Sequence, residues 1–385
     1  GIAQFALGDR RSALGHQGMT VFGDRYRGKR VLITGHTGFK GSWLTLWLSK
    51  LGADVIGYSY DVPTSPSLFK LADVERDCDD VRGDIRDRQQ LTKFVETVKP
   101  DYIFHLAAQP LVRRSYAEPI ETLATNIMGT GHVLEAARHA GHPCTVVVVT
   151  SDKCYENRGW VWGYRENDPL GGHDPYSMSK AAAELVTESW RRSYFQGTAP
   201  EVRIASARAG NVIGGGDWAE DRLMTDCVAA LRNGRGITVR NPLATRPWQH
   251  VLEPLSGYLM LAAELNDTDD AQAYAGGWNF GPLYDSIRPV QALTEKVISS
   301  WGSGSWQLED DADAPHEAFV LALNCDKAHQ RLRWKPVWGF DTSVERTVDW
   351  YQHWAEGNHQ MRAFSLNQIC AYEESAKSAD AAWIG

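Results

Sequence analysis

Three groups of residues in this chain have the types and spacing for chemistry. Tyr176-Ser-Met-Ser-Lys180 places a phenol and an ammonium four residues apart. On a helix that spacing puts both on one face, where the cation lowers the phenol's pKa and lets it act as a general base toward a hydroxyl. Ser151-Asp152-Lys153 follows the β-branched run Thr145–Thr150, so a hydroxyl, a carboxylate and an amine stand at a strand end. Gly35, Gly38 and Gly41 punctuate the turn after Val31-Leu-Ile33. Glycines in a strand-to-helix turn let backbone approach a ligand closely, and the free amides of the helix start favour a diphosphate.

The elements that must position these groups are legible as a pattern. After the glycine turn, Trp43, Leu44, Trp47, Leu48 and Leu51 share a helical face, and Gly52 stands where a C-terminal cap belongs. His36 and Lys40 lie inside the turn and either meet the diphosphate or point to solvent. Asp54–Tyr58 is a second strand. Ser59 occupies the position where an acidic residue usually holds the adenosine ribose, leaving Asp61 to take that role from a longer loop and NAD versus NADP open. Gly83–Asp87 precedes a helix with Leu91, Phe94, Val95 and Val98 at core spacing, and Tyr102–Ala107 is a further strand. A long helix follows from Pro119 to His139. Alternating strands and helices predict an α/β fold with a doubly wound parallel sheet, whose ligands sit at the strand carboxyl ends.

The second half changes character. The glycine-rich loop Arg208–Trp218, the loop Asn241–Val251, and loops at Trp278–Pro282 and Ala314–Glu317 predict a smaller C-terminal substrate lobe closing on the strand ends. The predicted division is an N-terminal extension over 1–26, a dinucleotide-binding domain over 27–207, a substrate lobe over 208–364 with some return to the sheet, and a loosely held tail over 365–385. Residues 1–18 do not read as a secretion signal, and Met19 is a candidate natural start.

Composition narrows the class. A chain of 385 residues with 43% apolar and 23% charged residues has ample material for a globular core. A net charge of −8 argues against a nucleic-acid partner, and no apolar run approaches a membrane span. Six scattered cysteines without a C-x-x-C pair suit free thiols in a reducing, cytoplasmic setting, and no cluster completes a metal site.

The G-x-x-G-x-x-G turn with Y-x-x-x-K resembles the extended short-chain dehydrogenase/reductase superfamily, of Rossmann type. The longer segments Gly35–Trp43, Ala107–Arg113, Ser151–Tyr155, Trp160–Glu166, Arg208–Trp218 and Arg246–Pro254 resemble the nucleotide-sugar 4,6-dehydratases, and within them the branch acting on CDP-glucose. The resemblance implies a lyase that runs an internal NAD hydride cycle, with the cofactor against Gly35, His36, Gly38, Phe39, Lys40, Gly41, Asp61, Asp84, Ile85, Leu106, Ala107, Ala108, Gln109, Tyr176 and Lys180. It implies that Tyr176, with Ser151 and Lys180, deprotonates the sugar 4-hydroxyl, that Lys153 takes the proton from carbon 5, and that Asp152 protonates the departing 6-hydroxyl. Many members carry glutamate where this chain has Lys153. Substrate contacts implied are Asn211 and Arg246 at the diphosphate, Asn279 and His316 near the nucleotide, and Arg114 beside the sugar. A homodimer through the Pro119–His139 and Tyr176–Phe195 helices, possibly a dimer of dimers, is also implied, with Trp190 and Phe195 as apolar candidates. A 4-epimerase would share the glycines, Tyr176 and Lys180 but has no use for the Asp152/Lys153 pair.

Overall fold

A computed structural model describes residues 20–196, 201–308, 321–357 and 359–385. Its centre is a seven-stranded sheet in which all six pairings are parallel. Strands β1 (Arg30–Thr34), β2 (Asp54–Ser59), β3 (Asp79–Arg82), β4 (Tyr102–His105), β5 (Cys144–Val149) and β6 (Val202–Arg208) are joined by an edge strand, Gly276–Asn279. The spatial order is edge strand, β6, β5, β4, β1, β2, β3. The chain therefore reverses direction beside β1, and the crevice between the ends of β1 and β4 is the switch point where α/β sheets bind ligands.

Alternation along β1 feeds two cores. Val31 and Ile33 join the cluster under the helices Phe39–Lys50 and Leu252–Asp267, whereas Leu32 faces Leu91, Val95 and Val133 on the other side. The Phe39–Lys50 helix ends as its sequence indicates, with Gly52 left-handed at φ 81° just past the C-cap. Its burial, however, is not confined to one face: Gly41 through Leu48 are all buried.

The reason is the C-terminus, which overturns the expectation of a loose tail. Met361–Ser378 is a helix that buries Ser365, Ile369, Tyr372 and Ala376 against the Phe39–Lys50 helix. Glu373, 1% exposed, accepts from Trp47 Nε1 at 2.9 Å and Lys50 Nζ at 2.5 Å. Trp383 then stacks on Phe22 and Tyr372, and Thr20 and Gly385 exchange backbone hydrogen bonds. Phe22 and Tyr26 thus belong to the core, so the described part of the predicted extension is integral to the domain.

Two further features bear on the site. Trp278 and Asn279, expected in a loop running to Pro282, instead end the strand Gly276–Asn279, which pairs with β6 in register Trp278↔Ala207. The long helix expected from Pro119 is present over Pro119–Arg138, with a π turn at Ala124–Met128. The smaller lobe is built from the helices Leu223–Arg232, Val290–Trp301 and Phe340–Ala355, with an antiparallel pair, Thr245–Pro247 with Ile287–Pro289, at its base.

Candidate active site

The glycine turn is built by contact rather than flexibility alone. A Cβ on Gly35, at φ 81°, would stand 2.6 Å from the Ala107 nitrogen, and one on Gly41 would stand 2.1 Å from the Gly35 carbonyl. These two glycines let the turn, the end of β4 and the helix start pack together. Gly38 differs: it is the N-cap, its nearest neighbour would be 3.4 Å away, and no side chain caps the helix. The amides of Phe39, Lys40 and Gly41 at the first turn therefore keep an open approach, which fits a dinucleotide diphosphate.

His36 takes neither of its two expected places. It is fully buried, bonded to Asp80 at 2.9 Å through Nε2 and to the Ser59 hydroxyl at 2.8 Å through Nδ1, and burial lowers its pKa. A Cβ on Gly57 would fall 2.2 Å from its ring, so Gly57 exists to admit it. His36 is a strut tying the glycine turn to β2 and β3, and Ser59 is its partner. Lys40 is half-buried. It lies 5.9 Å from the Tyr258 ring centroid, and burial, then Arg222, pushes its pKa down to about 8, in the field of Asp152, Lys180 and Asp217.

The remaining cofactor candidates divide. Asp61 is exposed just beyond β2, its carbonyl held by the Thr37 hydroxyl at 2.6 Å. Asp84 is clamped by Arg86 at 2.6 Å, and Ile85 is buried against Gly129. Leu106, Ala107 and Ala108 are half-buried beyond β4. Gln109 is a correction: its side chain bonds Thr122 at 2.9 Å and both backbone groups of Leu111, so it braces the loop instead of facing a ligand.

Tyr176 and Lys180 sit on the first turns of the helix Pro175–Tyr194, started by Asp174, whose side chain accepts from Ser177 N. The Ser115 hydroxyl accepts from Tyr176 N at 3.1 Å, so Ser115 fixes the helix start, while Arg114 beside it is exposed and paired with Glu118 at 2.8 Å. Tyr176 is buried, 8% exposed. Its acidity departs from expectation: burial pushes the pKa up to about 12, opposed by Ser151 and Arg222. Lys180, also buried, is pushed down to about 8 by burial and contacts the Val149 carbonyl at 3.4 Å. Desolvation outweighs the helical pairing, because both groups leave water together.

Ser151 caps a short 3-10 turn, Asp152–Cys154, that follows β5. Ser151 Oγ donates to Asp152 Oδ1 at 3.0 Å, and Lys153 Nζ lies 3.6 Å from that same oxygen. Asp152 is fully buried while Lys153 keeps about a third of its side chain exposed, at 34%. Asp152 Oδ2 has no hydrogen-bond partner among the described residues and lies over Gly210, where a Cβ would stand 1.8 Å from it.

One assembly was not read from the sequence. Glu184, a turn beyond Lys180, accepts from Ser206 at 2.6 Å, from Arg208 Nη2 at 2.8 Å and from Thr150. Its carboxyl is held low despite burial, and Arg208 is raised by Glu184 despite its own desolvation. This pair ties the helix to β5 and β6 directly behind Ser151. The signal available was the spacing Tyr176, Lys180, Glu184 on one helical face.

On the substrate side, Asn211 is left-handed at φ 47° and its buried Nδ2 lacks a partner among the described residues. Arg246 lies on the Thr245–Pro247 strand, bonding the Thr245 carbonyl at 2.9 Å. Asn279 is corrected: fully buried, it accepts from Tyr155 Oη at 2.7 Å and donates to the Tyr164 and Asn324 carbonyls, fastening three segments. His316 lies outside the described residues. Among the described residues no cluster of side chains could hold a metal ion.

A CDP-glucose 4,6-dehydratase of Salmonella typhimurium is 50% identical over 350 residues, covering 90% of this chain and 97% of that protein. A probable dTDP-glucose 4,6-dehydratase of Sinorhizobium fredii is 26% identical, covering 84% of this chain and 92% of that protein. Among solved structures, the dTDP-glucose 4,6-dehydratase of Streptomyces venezuelae with NAD bound superposes with a TM-score of 0.70 at 26% identity, covering 84% of this chain and 97% of that one. The family model described as GDP-mannose 4,6 dehydratase matches residues 32–347, and the chain belongs to that family of nucleotide-sugar 4,6-dehydratases.

Proposed function

We propose that this chain converts CDP-D-glucose to CDP-4-dehydro-6-deoxy-D-glucose and water, with NAD as a cofactor that ends each cycle unchanged. The observation that carries the reading is the meeting of Ser151, Asp152 and Lys153 with Tyr176 beyond an uncapped glycine turn. The half-identity to a dehydratase of that specificity supports the base preference.

The Gly35–Gly41 turn, the loop after β4 and Lys180 would hold NAD, which when bound would supply hydride acceptance and return. Tyr176 takes the proton of the sugar 4-hydroxyl. The resulting ketone acidifies carbon 5, and Lys153, partly exposed to the cleft, removes that proton. Asp152 delivers a proton to the departing 6-hydroxyl. Asn211 and Arg246 take the substrate diphosphate, the arginine through its planar fork.

A homodimer and a cytoplasmic setting complete the proposal. Ile120, Met128, Met178, Leu185 and Tyr194 are all exposed on the two helices expected at the interface, Ile120 by 76% and Leu185 by 60%. Trp190 and Phe195, which the sequence left open between interface and core, pack with the core beneath the sheet.

Two variants test the catalytic assignment. Tyr176→Phe should bind NAD but form no 4-ketosugar. Lys153→Ala should oxidise carbon 4 and then stall, accumulating the absorbance of reduced nicotinamide. Wild-type turnover in either variant would refute its assigned role.

A further inference from the structure

We propose that the ion pair Arg113–Asp221 is the clasp of a strap laid across the dinucleotide crevice, and that its opening sets how fast NAD enters and leaves. The inference needs the NAD seat and not the dehydratase reading.

The strap is the loop that follows β6, and four contacts carry it past the segments that bound the crevice. A Cβ on Gly210 would stand 1.8 Å from Asp152 Oδ2, beyond β5. One on Gly214 would stand 3.0 Å from the Phe39 ring, at the start of the helix after β1. One on Gly216, left-handed at φ 82°, would stand 2.7 Å from the Leu68 side chain, beyond β2. The chain then doubles back, and Asp221 Oδ1 meets Arg113 Nη1 at 3.1 Å, beyond β4.

The two halves of the strap are held differently. Val212 and Ile213 pair in parallel with Gln249 and His250, residues 213–217 are buried, and the Asp217 carbonyl accepts from Tyr351 Oη at 2.6 Å. That half is fixed to the core. Glu220, Asp221 and Arg222 are exposed, so the second half is the part free to swing, and Arg113 is what ties it down. Arg113 stands on the short helix Val112–Ala117, two residues before Ser115, whose hydroxyl accepts from Tyr176 N at 3.1 Å. The clasp therefore fastens the strap to the element that anchors the Tyr176 helix. Arg114, its neighbour, is spent on Glu118.

The strength of the pair suits a clasp that opens. The Arg113 and Asp221 side chains are 48% and 40% exposed, and an ion pair so wetted shifts an equilibrium by up to about fivefold. The buried Glu184–Arg208 pair is a permanent brace by comparison.

The test is stopped-flow binding of fluorescent etheno-NAD to the full chain, and its displacement by excess NAD, which give the entry and release rates. Asp221→Asn, which tolerates the left-handed φ of 58°, and Arg113→Gln should each raise both rates about threefold and leave the dissociation constant unchanged, since a gate speeds both directions alike. The double variant should be no faster than either single one, because the same pair is lost in all three. Arg113→Lys, which keeps the charge, should stay near wild type. Faster release with unaltered entry would mean that these side chains hold NAD directly, and effects that multiply in the double variant would mean that they act separately. Wild-type rates in both single variants would mean that the strap is held elsewhere. Each of these results overturns the clasp while leaving the NAD seat intact, whereas a wild type that binds no etheno-NAD would overturn the seat and the clasp together.

Discussion

Replacing Arg208 with methionine removes the cation from a pair that is almost wholly withdrawn from water, with side-chain exposures of 5% for Arg208 and 4% for Glu184. Methionine fills much of the volume but leaves the Glu184 carboxylate buried with only the Thr150 and Ser206 hydroxyls. Breaking a buried pair from one side costs about 3–5 kcal/mol, because the surviving charge keeps its desolvation penalty. Arg208 also donates to Tyr155 Oη at 2.6 Å and to the Glu166 carbonyl at 3.1 Å, each worth about 1 kcal/mol. Arg208→Met should therefore lose about 5–7 kcal/mol in urea denaturation at neutral pH. Adding Glu184→Gln removes the stranded charge and should recover about 2 kcal/mol, a coupling far outside additivity. The pH arm has a definite sign. In the wild type Glu184 is held below its ordinary 4.5, so its contribution is present above that pH and is lost on acidification. In the single variant the same carboxylate prefers its proton, so the gap to wild type should narrow as pH falls. A single variant costing under about 1 kcal/mol, or an additive double variant, would refute the view that this pair is a charge-balanced brace behind Ser151.

Glu253 offers an independent pH test. It accepts from the Val337 and Trp338 amides and from Tyr372, yet burial pushes it up to about 7 from 4.5. A raised acid stabilises fully below its unfolded value and loses that contribution as pH rises through its folded one. The stability of wild type relative to Glu253→Gln should thus fall by about 3 kcal/mol between pH 4.5 and 8, and parallel pH curves would contradict this. Leu185→Glu, on the exposed helix face, should shift the proposed dimer to monomer in sedimentation at micromolar concentration, and an unchanged mass would remove that face from the interface.

What was legible in the sequence was local. The Tyr176/Lys180 pair, the glycine turn and the strand run before Ser151 depend on residues within a few positions, and the helix and strands they imply are present. What failed was set by partners far along the chain. His36 looked like a ligand group because its neighbours Asp80 and Gly57 come from β3 and β2. Asn279 looked like a loop contact because the carbonyls of Tyr164 and Asn324 that consume it arrive from elsewhere. The C-terminal helix was missed because its inward face mixes Ser365, Gln368 and Glu373 with Ile369 and Tyr372, which hides the apolar period. Tyr176 stands on the predicted helix, but spacing reports the neighbouring charge and not the desolvation that pushes its phenol up.

The most direct measurement is incubation of the protein with NAD and, separately, CDP-, dTDP-, UDP- and GDP-hexoses, followed by mass spectrometry of the sugar nucleotides. Loss of about 18 Da from CDP-glucose alone, sustained by catalytic NAD, is the expected result. An unchanged mass with inverted configuration at carbon 4 would contradict it, and would leave Asp152 and Lys153 without the chemistry assigned to them.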